Sequence, residues 1–299
     1  MSADADTMNK EEEPRMSMIK LKDVELYYEE YGSGDRYIIQ AQQFVSSYLS
    51  YVKDLCEKQG FHGYIIRIRG YAPSTLITED LGDTWYDVWA QDVCDFADAM
   101  GIDKFFYTGH SHGAGIGWHI CKNHPERLRG FFASGCGPHK KDGQETGHSR
   151  MQTIEAASSP ETWLPFAEKK AANGTKSLLA LLDDPEEGEA ARKEIEQTRE
   201  FWVNMPAISA TMNPKKPFPK CKTEEELIAE LEKIHVPLLM LGGTADNVSP
   251  PDVMVRSLCA VKGSRLVLFE GVDHQDLTKK CRKEYVEEIM AFCRTKHLI

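Results

Sequence analysis

The chain has 299 residues, of which 41% are hydrophobic and 28% charged, and its formal net charge is −11. That apolar fraction excludes wholesale disorder, and the acidic balance argues against a nucleic-acid partner, which would require a basic face to neutralise phosphates. No apolar run approaches the roughly 20 residues needed to span a bilayer, so no membrane partner is expected.

Residues 1–15, MSADADTMNKEEEPR, are polar and acidic and read as a flexible tail. They lack the positive n-region and apolar core of a secretory signal, so a cytoplasmic location is expected. Two alternating segments, Met18–Leu21 and Val24–Tyr31, predict an opening hairpin, followed by a turn at Gly32-Ser33-Gly34-Asp35. Apolar runs of strand length then alternate with helical stretches. The runs are Tyr37–Ala41, Tyr64–Ile68, Phe105–Thr108, Leu128–Ala133, Pro237–Leu241 and Leu266–Phe269. Near-continuous apolar runs suit strands buried on both faces of a parallel sheet. Helices predicted over Thr84–Met100 and Lys279–Cys293 supply crossovers of the kind such strands need. The expected fold class is α/β, a mostly parallel central sheet flanked by helices.

The βα rhythm breaks between residues 139 and 235. This stretch is rich in Glu, Lys and Ala, with helical signals at Pro160–Lys170 and Pro185–Met205 and no convincing buried strand. It predicts a helical cap over 139–235, inserted into a core formed by 16–138 and 236–299. The eight cysteines contain no CxxC pair and do not cluster with histidine. Neither a disulfide framework nor a metal site is expected, and no organic cofactor is implied.

The strongest chemical signal is Thr108-Gly109-His110-Ser111-His112-Gly113, a G-x-S-x-G motif between the strand at Phe105–Thr108 and a helix-compatible segment ending at His124-Pro125. A serine projected from a sharp strand-to-helix turn needs glycines on either side, because side chains there would clash. The helix that follows aims its first N–H groups at the point where negative charge would develop on a substrate. The competing reading is a serine that merely caps the helix. A hydroxyl becomes a good nucleophile only when a base takes its proton. Candidate partners follow in the order acid, then histidine. Asp246 lies just past the strand ending at Leu241, and His274 just past the strand ending at Phe269, where catalytic groups gather in open α/β sheets. His274 is the expected general base and Asp246 the acid that fixes its tautomer. Asp252 competes with Asp246, but it follows Pro250-Pro251 and is expected to cap the next helix. The backbone N–H of His112 is an expected oxyanion donor. His119 and His124 are expected to be structural.

From these motifs the chain resembles the α/β-hydrolase superfamily from Met18 to its C-terminus. The cap between the sixth and seventh strands is similar to the group of epoxide hydrolases, haloalkane dehalogenases and esterases. Ser46-Ser47-Tyr48-Leu49 is similar to the stretch after the oxyanion motif in dehalogenases. Those enzymes and epoxide hydrolases attack with an aspartate, whereas the elbow here carries Ser111, which favours acyl chemistry. The resemblance implies Ser111, Asp246 and His274 as a triad and His112 as one oxyanion donor. Where the family has His-Gly after the third strand, this chain has Ala41-Gln42. The second donor is then expected at Gln43, with Gln42 the alternative. The family's D-x-R-G-x-G-x-S reads here as Arg67-Ile68-Arg69-Gly70-Tyr71-Ala72-Pro73-Ser74. Arg67 in place of the acid suggests a structural salt bridge or, failing that, an altered loop or an anionic substrate.

The expected activity is hydrolysis of a carboxylic ester of a small to medium molecule through an acyl-enzyme. A C–C hydrolase, lactonase or amidase would use the same triad, and a non-turnover ligand receptor is the reading from another class. Trp163, Phe166, Trp202, Met205 and Met212 in the cap are candidates for an apolar pocket, with Gln42, Trp163 and Trp202 singled out as substrate-binding. A homodimer is suggested by analogy alone.

Overall fold

The computed structural model describes residues 15–44, 48–212 and 215–299. Its centre is an eight-stranded sheet in the order β1-β2-β4-β3-β5-β6-β7-β8. The strands are β1 Arg15–Lys20, β2 Glu25–Tyr31, β3 Arg36–Gln42, β4 Phe61–Arg67, β5 Phe105–His110, β6 Leu128–Ser134, β7 Leu238–Gly243 and β8 Arg265–Phe269. β1 and β2 pair antiparallel, β2 also runs antiparallel to β4, and the remaining ladders are parallel. Every predicted strand is present. The first begins earlier than expected, so Arg15 belongs to β1 and not to a tail. Residues 1–14 and the Ser46-Ser47 part of the dehalogenase-like stretch lie outside the described residues.

The helices are α1 Tyr51–Gln59, α2 Trp85–Ala99, α3 His112–Asn123, α4 His148–Ala156, α5 Pro160–Gly174, α6 Gly188–Val203, α7 Ala207–Thr211, α8 Glu224–Leu231, α9 Pro251–Ala260, α10 Leu277–Lys280 and α11 Arg282–Thr295. The helix expected over Lys279–Cys293 is thus two, broken at Cys281. Local chemistry fixes several ends. Ser50 accepts from the Val52 N–H at the start of α1, and Gly60 closes that helix in the left-handed conformation. Thr223 and Glu226 form a reciprocal capping box on α8.

Side-chain alternation along the strands builds two cores. Ile39, Tyr107 and Phe131 face one side of the sheet, packed with α2 and α3, while Ile38, Phe106 and Phe132 face the other, packed with α1 and α11. β3 is followed in sequence by its neighbour β4 on one side, while β5 lies on its other side. The sheet's winding therefore reverses between β3 and β5, and the crevice at their C-terminal ends is where open α/β sheets bind ligands.

Helices α4 to α8 lie between β6 and β7 in the chain. One buried ionic junction ties them to the strand-bearing part. Glu194 on α6, fully buried, accepts from Lys279 Nζ on α10 and from the backbone N–H of Tyr48. Beside it Arg282 pairs with Glu187 at 2.6 Å and with Asp54 at 2.9 Å.

Candidate active site

β5 ends at His110 and α3 begins at His112, so the chain reverses within one residue. That residue, Ser111, has φ 52° and ψ −110°, a backbone region that costs a non-glycine residue of order 1–3 kcal/mol. The flanking glycines make the turn possible. A Cβ on Gly109 would stand 2.4 Å from the carbonyl carbon of Gly113, and one on Gly113 would stand 2.5 Å from the carbonyl oxygen of Ala41. The buried Tyr107 hydroxyl donates to the Gly113 carbonyl at 2.8 Å and secures the turn from below. Ser111 does not cap the helix with its side chain. Its Oγ instead lies 2.8 Å from His274 Nε2.

His274 Nδ1 lies 2.7 Å from Asp246 Oδ2. The two loops are joined by the Ala245 N–H, which donates to the Val272 carbonyl at 3.1 Å. The other carboxylate oxygen of Asp246 accepts from the N–H groups of Val248 at 2.8 Å and Ser249 at 2.7 Å. Asp246 and His274 are only 3% and 4% exposed. Burial would raise the Asp246 carboxyl, but the hydrogen bond and charge of His274, with the two backbone donors, outweigh it and hold the pKa below the ordinary carboxylate value. Asp246 is therefore ionised and fixes the proton of His274 on Nδ1, leaving Nε2 to accept from Ser111.

The competitor Asp252 and the acidic residues beside His274 are engaged with other partners. Asp252 is not the N-cap expected of it: Pro250 holds that position, and Asp252 sits in the first turn of α9, where it pairs with Lys140. Asp273 pairs with Lys176 at 3.0 Å, and Asp276 accepts from the Ser177 hydroxyl at 2.6 Å. His119 lies in a separate depression of about 340 Å³. Asp87 holds its Nδ1 at 2.7 Å, and its Nε2 accepts from the Phe218 N–H, a structural arrangement. His124 closes α3 through its backbone N–H.

A cavity of about 1240 Å³ stands over Ser111 and His274. His112, Gln42 and Gln43 line it. Gln42 is the last residue of β3, paired with Arg67, while Gln43 lies just past the strand end. Trp202, Phe166 and Met205 also line the cavity, whereas Trp163 does not. Trp163 packs behind the wall, its ring 6.4 Å from that of Trp202 and 5.8 Å from that of Phe166. Met212 is likewise buried elsewhere, against Gly70. Arg67 makes no salt bridge among the described residues. It donates to the Ala72 carbonyl at 2.7 Å and lies over the Tyr27 ring.

Two features escaped sequence reasoning. His110 packs against His274 and is bonded through Nδ1 to Ser134 Oγ at 2.9 Å, which in turn is 2.8 Å from the Tyr285 hydroxyl. Arg150 and Lys170, from α4 and α5, enter the same cavity. Among the described residues no cluster of His, Cys, Asp and Glu is arranged to hold a metal ion. No helix among them is long and apolar enough to cross a membrane.

The sequence profile of the alpha/beta hydrolase fold family matches residues 44–278. Among solved structures, an esterase from a Rhodococcus species is similar at 17% identity and a TM-score of 0.68, covering 95% of this chain and 99% of its own. An epoxide hydrolase from Vigna radiata is similar at 14% identity and a TM-score of 0.67, covering 95% and 98%. An enol-lactonase from Burkholderia xenovorans gives 18%, 0.62, 93% and 100%. No curated protein sequence matches the chain.

Proposed function

The chain belongs to the alpha/beta hydrolase fold family, and we propose that within it this protein is a serine-dependent hydrolase of carboxylic esters. The observation that carries this reading is the continuous set of hydrogen bonds from Ser111 Oγ through His274 to Asp246, mounted on a strained turn. An aspartate nucleophile would suit an epoxide or a carbon–halogen bond; a serine with an imidazole in hydrogen-bond reach suits an acyl carbon.

In the proposed reaction His274 Nε2 takes the Ser111 proton as Oγ attacks the ester carbonyl carbon. The tetrahedral oxyanion is received by the backbone N–H groups of His112 and Gln43. Collapse expels the alcohol, which takes the proton from His274 and leaves the acyl group on Ser111. Water then attacks the acyl carbon with His274 again the base, and the acid departs. Helices α4 to α8 act as the cap, Trp202 and Phe166 form the apolar wall, and the Gln42 side chain contacts the bound ester. A lactone is an internal ester and enters on the same chemistry, which is the activity named for the Burkholderia structure.

The test is turnover of p-nitrophenyl esters of increasing acyl length by the protein and by Ser111→Ala. Multiple turnover that vanishes in a normally folded variant supports the reading. Undiminished turnover in Ser111→Ala, or none by the wild type against any ester, overturns it.

A further inference from the structure

The cavity over Ser111 runs against the charge of the chain as a whole. Seven lysine and arginine side chains line it against three carboxylates, in a protein of formal net charge −11. Most of these cations are already committed to partners: Lys140 to Asp252, Lys215 to Asp83, Lys216 to Asp142 and Lys279 to Glu194. Arg150, Lys169 and Lys170 are not: among the described residues none of the three pairs with a carboxylate, and of these Lys169 is exposed.

Arg150 projects from α4 with its Nε and Nη2 buried and without a hydrogen-bond partner. Lys170 comes from α5 and donates at 3.2 Å to Ser149 Oγ, on the residue next to Arg150. Its ammonium lies 5.4 Å from the centre of the Phe166 ring, which lines the cavity. The guanidinium lies near enough to His112 and Tyr71 to act on both. Burial first, and then the positive charge of Arg150, hold the His112 imidazole down to about 3. Burial raises the Tyr71 phenol against the opposing pull of Arg150 and Gln43. Buried guanidinium N–H groups left without an acceptor are costly, and the planar fork they form matches a carboxylate in two parallel hydrogen bonds.

Resting on the reading of Ser111 as an acyl nucleophile, we infer that Arg150, with Lys170 beside it, binds a carboxylate on the substrate. The esters cleaved are then anionic, of the half-ester class derived from dicarboxylic acids. Arg150 takes the carboxylate end while the ester carbonyl reaches Ser111.

The experiment compares mono-p-nitrophenyl esters of succinate, glutarate and adipate with neutral p-nitrophenyl esters of matching length. At least one half-ester should exceed its neutral counterpart tenfold or more in kcat/KM. Arg150→Gln should reduce that ratio at least tenfold, mainly through KM, and Arg150→Lys should restore part of it. In parallel, the free dicarboxylates and the neutral diamide of glutarate are titrated calorimetrically into Ser111→Ala, with and without Arg150→Gln, each variant being checked by thermal melt. Tighter binding of a dicarboxylate than of the diamide, lost with Arg150, supports the site even if no ester turns over, in which case the failure lies with the nucleophile. Neutral esters preferred throughout, equal loss on both substrate classes in Arg150→Gln, or no Arg150-dependent binding overturns the inference.

Discussion

The His110 ring packs against the His274 ring, their centroids 4.8 Å apart, yet the two imidazoles have different partners. His274 faces Ser111 and Asp246, while His110 is tied to Ser134 and through it to Tyr285. Burial, then the neighbouring His274, hold the His110 pKa down to about 3. His110 is therefore neutral in the working range and forms a fixed wall against the His274 ring.

The two histidines that flank Ser111, His110 and His112, contribute to the acid limit of stability. His110 and His112 titrate at about 3 when folded and near the ordinary value of roughly 6.5 when unfolded. Between those values the unfolded chain binds more protons, so stability is complete above about pH 6.5 and is lost as pH falls toward 3. Thermal unfolding followed from pH 8 to pH 4 should show a midpoint that declines below about pH 6.5. His112→Gln should make the decline shallower; an unchanged slope would count against this assignment.

Asp246 and Asp252 separate cleanly by mutation. Asp246→Asn removes the acceptor that fixes the His274 tautomer and should lower kcat by about 10⁴, the scale seen when a triad acid is neutralised. Asp252→Asn, at a half-exposed site paired with Lys140, should change kcat less than about twofold. Steady-state kinetics on one ester suffices, and comparable losses in the two variants would show the acid to be misassigned.

The turn at Ser111 should reject side chains at its glycines. Gly113→Ala sets a methyl group 2.5 Å from the rigid Ala41 carbonyl oxygen, which predicts a loss of about 2–4 kcal/mol and of most activity. Gly174→Ala, at the end of α5 with its nearest neighbour 3.8 Å away, should be neutral or stabilise by a few tenths of a kcal/mol. Denaturant midpoints compare the two directly.

Glu194 holds the inserted helices to the core through a buried charge. Glu194→Ala leaves Lys279 without this counter-ion and should cost about 3–5 kcal/mol. Replacing both as Glu194→Met and Lys279→Met should recover a substantial part, since no charge is then stranded. A double variant no more stable than Glu194→Ala would show that packing, not charge, holds the junction.

The central strands were readable because each is a short apolar run whose two faces are both buried, as Phe131 and Phe132 illustrate by facing opposite cores, and the opening hairpin was readable from its alternation. The positions of Ser111, Asp246 and His274 were readable for a local reason: each lies within a few residues of a strand's C-terminal end, so the sheet carries them to one edge. The cavity wall was not. Whether Trp163 or Trp202 faces the ligand depends on how α5 packs on α6, and both helices carry apolar residues in either case. Arg150 had no signal at all, being a single basic residue on a polar helix whose burial is a property of the assembled fold. Arg67 was misread as a salt-bridge residue because its acceptor is the Ala72 backbone carbonyl, which no side-chain pattern records. Asp252 was misplaced by two positions, since the N-cap is Pro250 and the helix begins at Pro251.

The most direct measurement is the mass of Ser111-containing peptides after rapid acid quenching of the protein with an excess of p-nitrophenyl ester. A serine mechanism requires one acyl group on Ser111, appearing with the burst of p-nitrophenol and absent from Ser111→Ala. Hydrolysis that proceeds without any acyl adduct, or with the adduct on another residue, would contradict it.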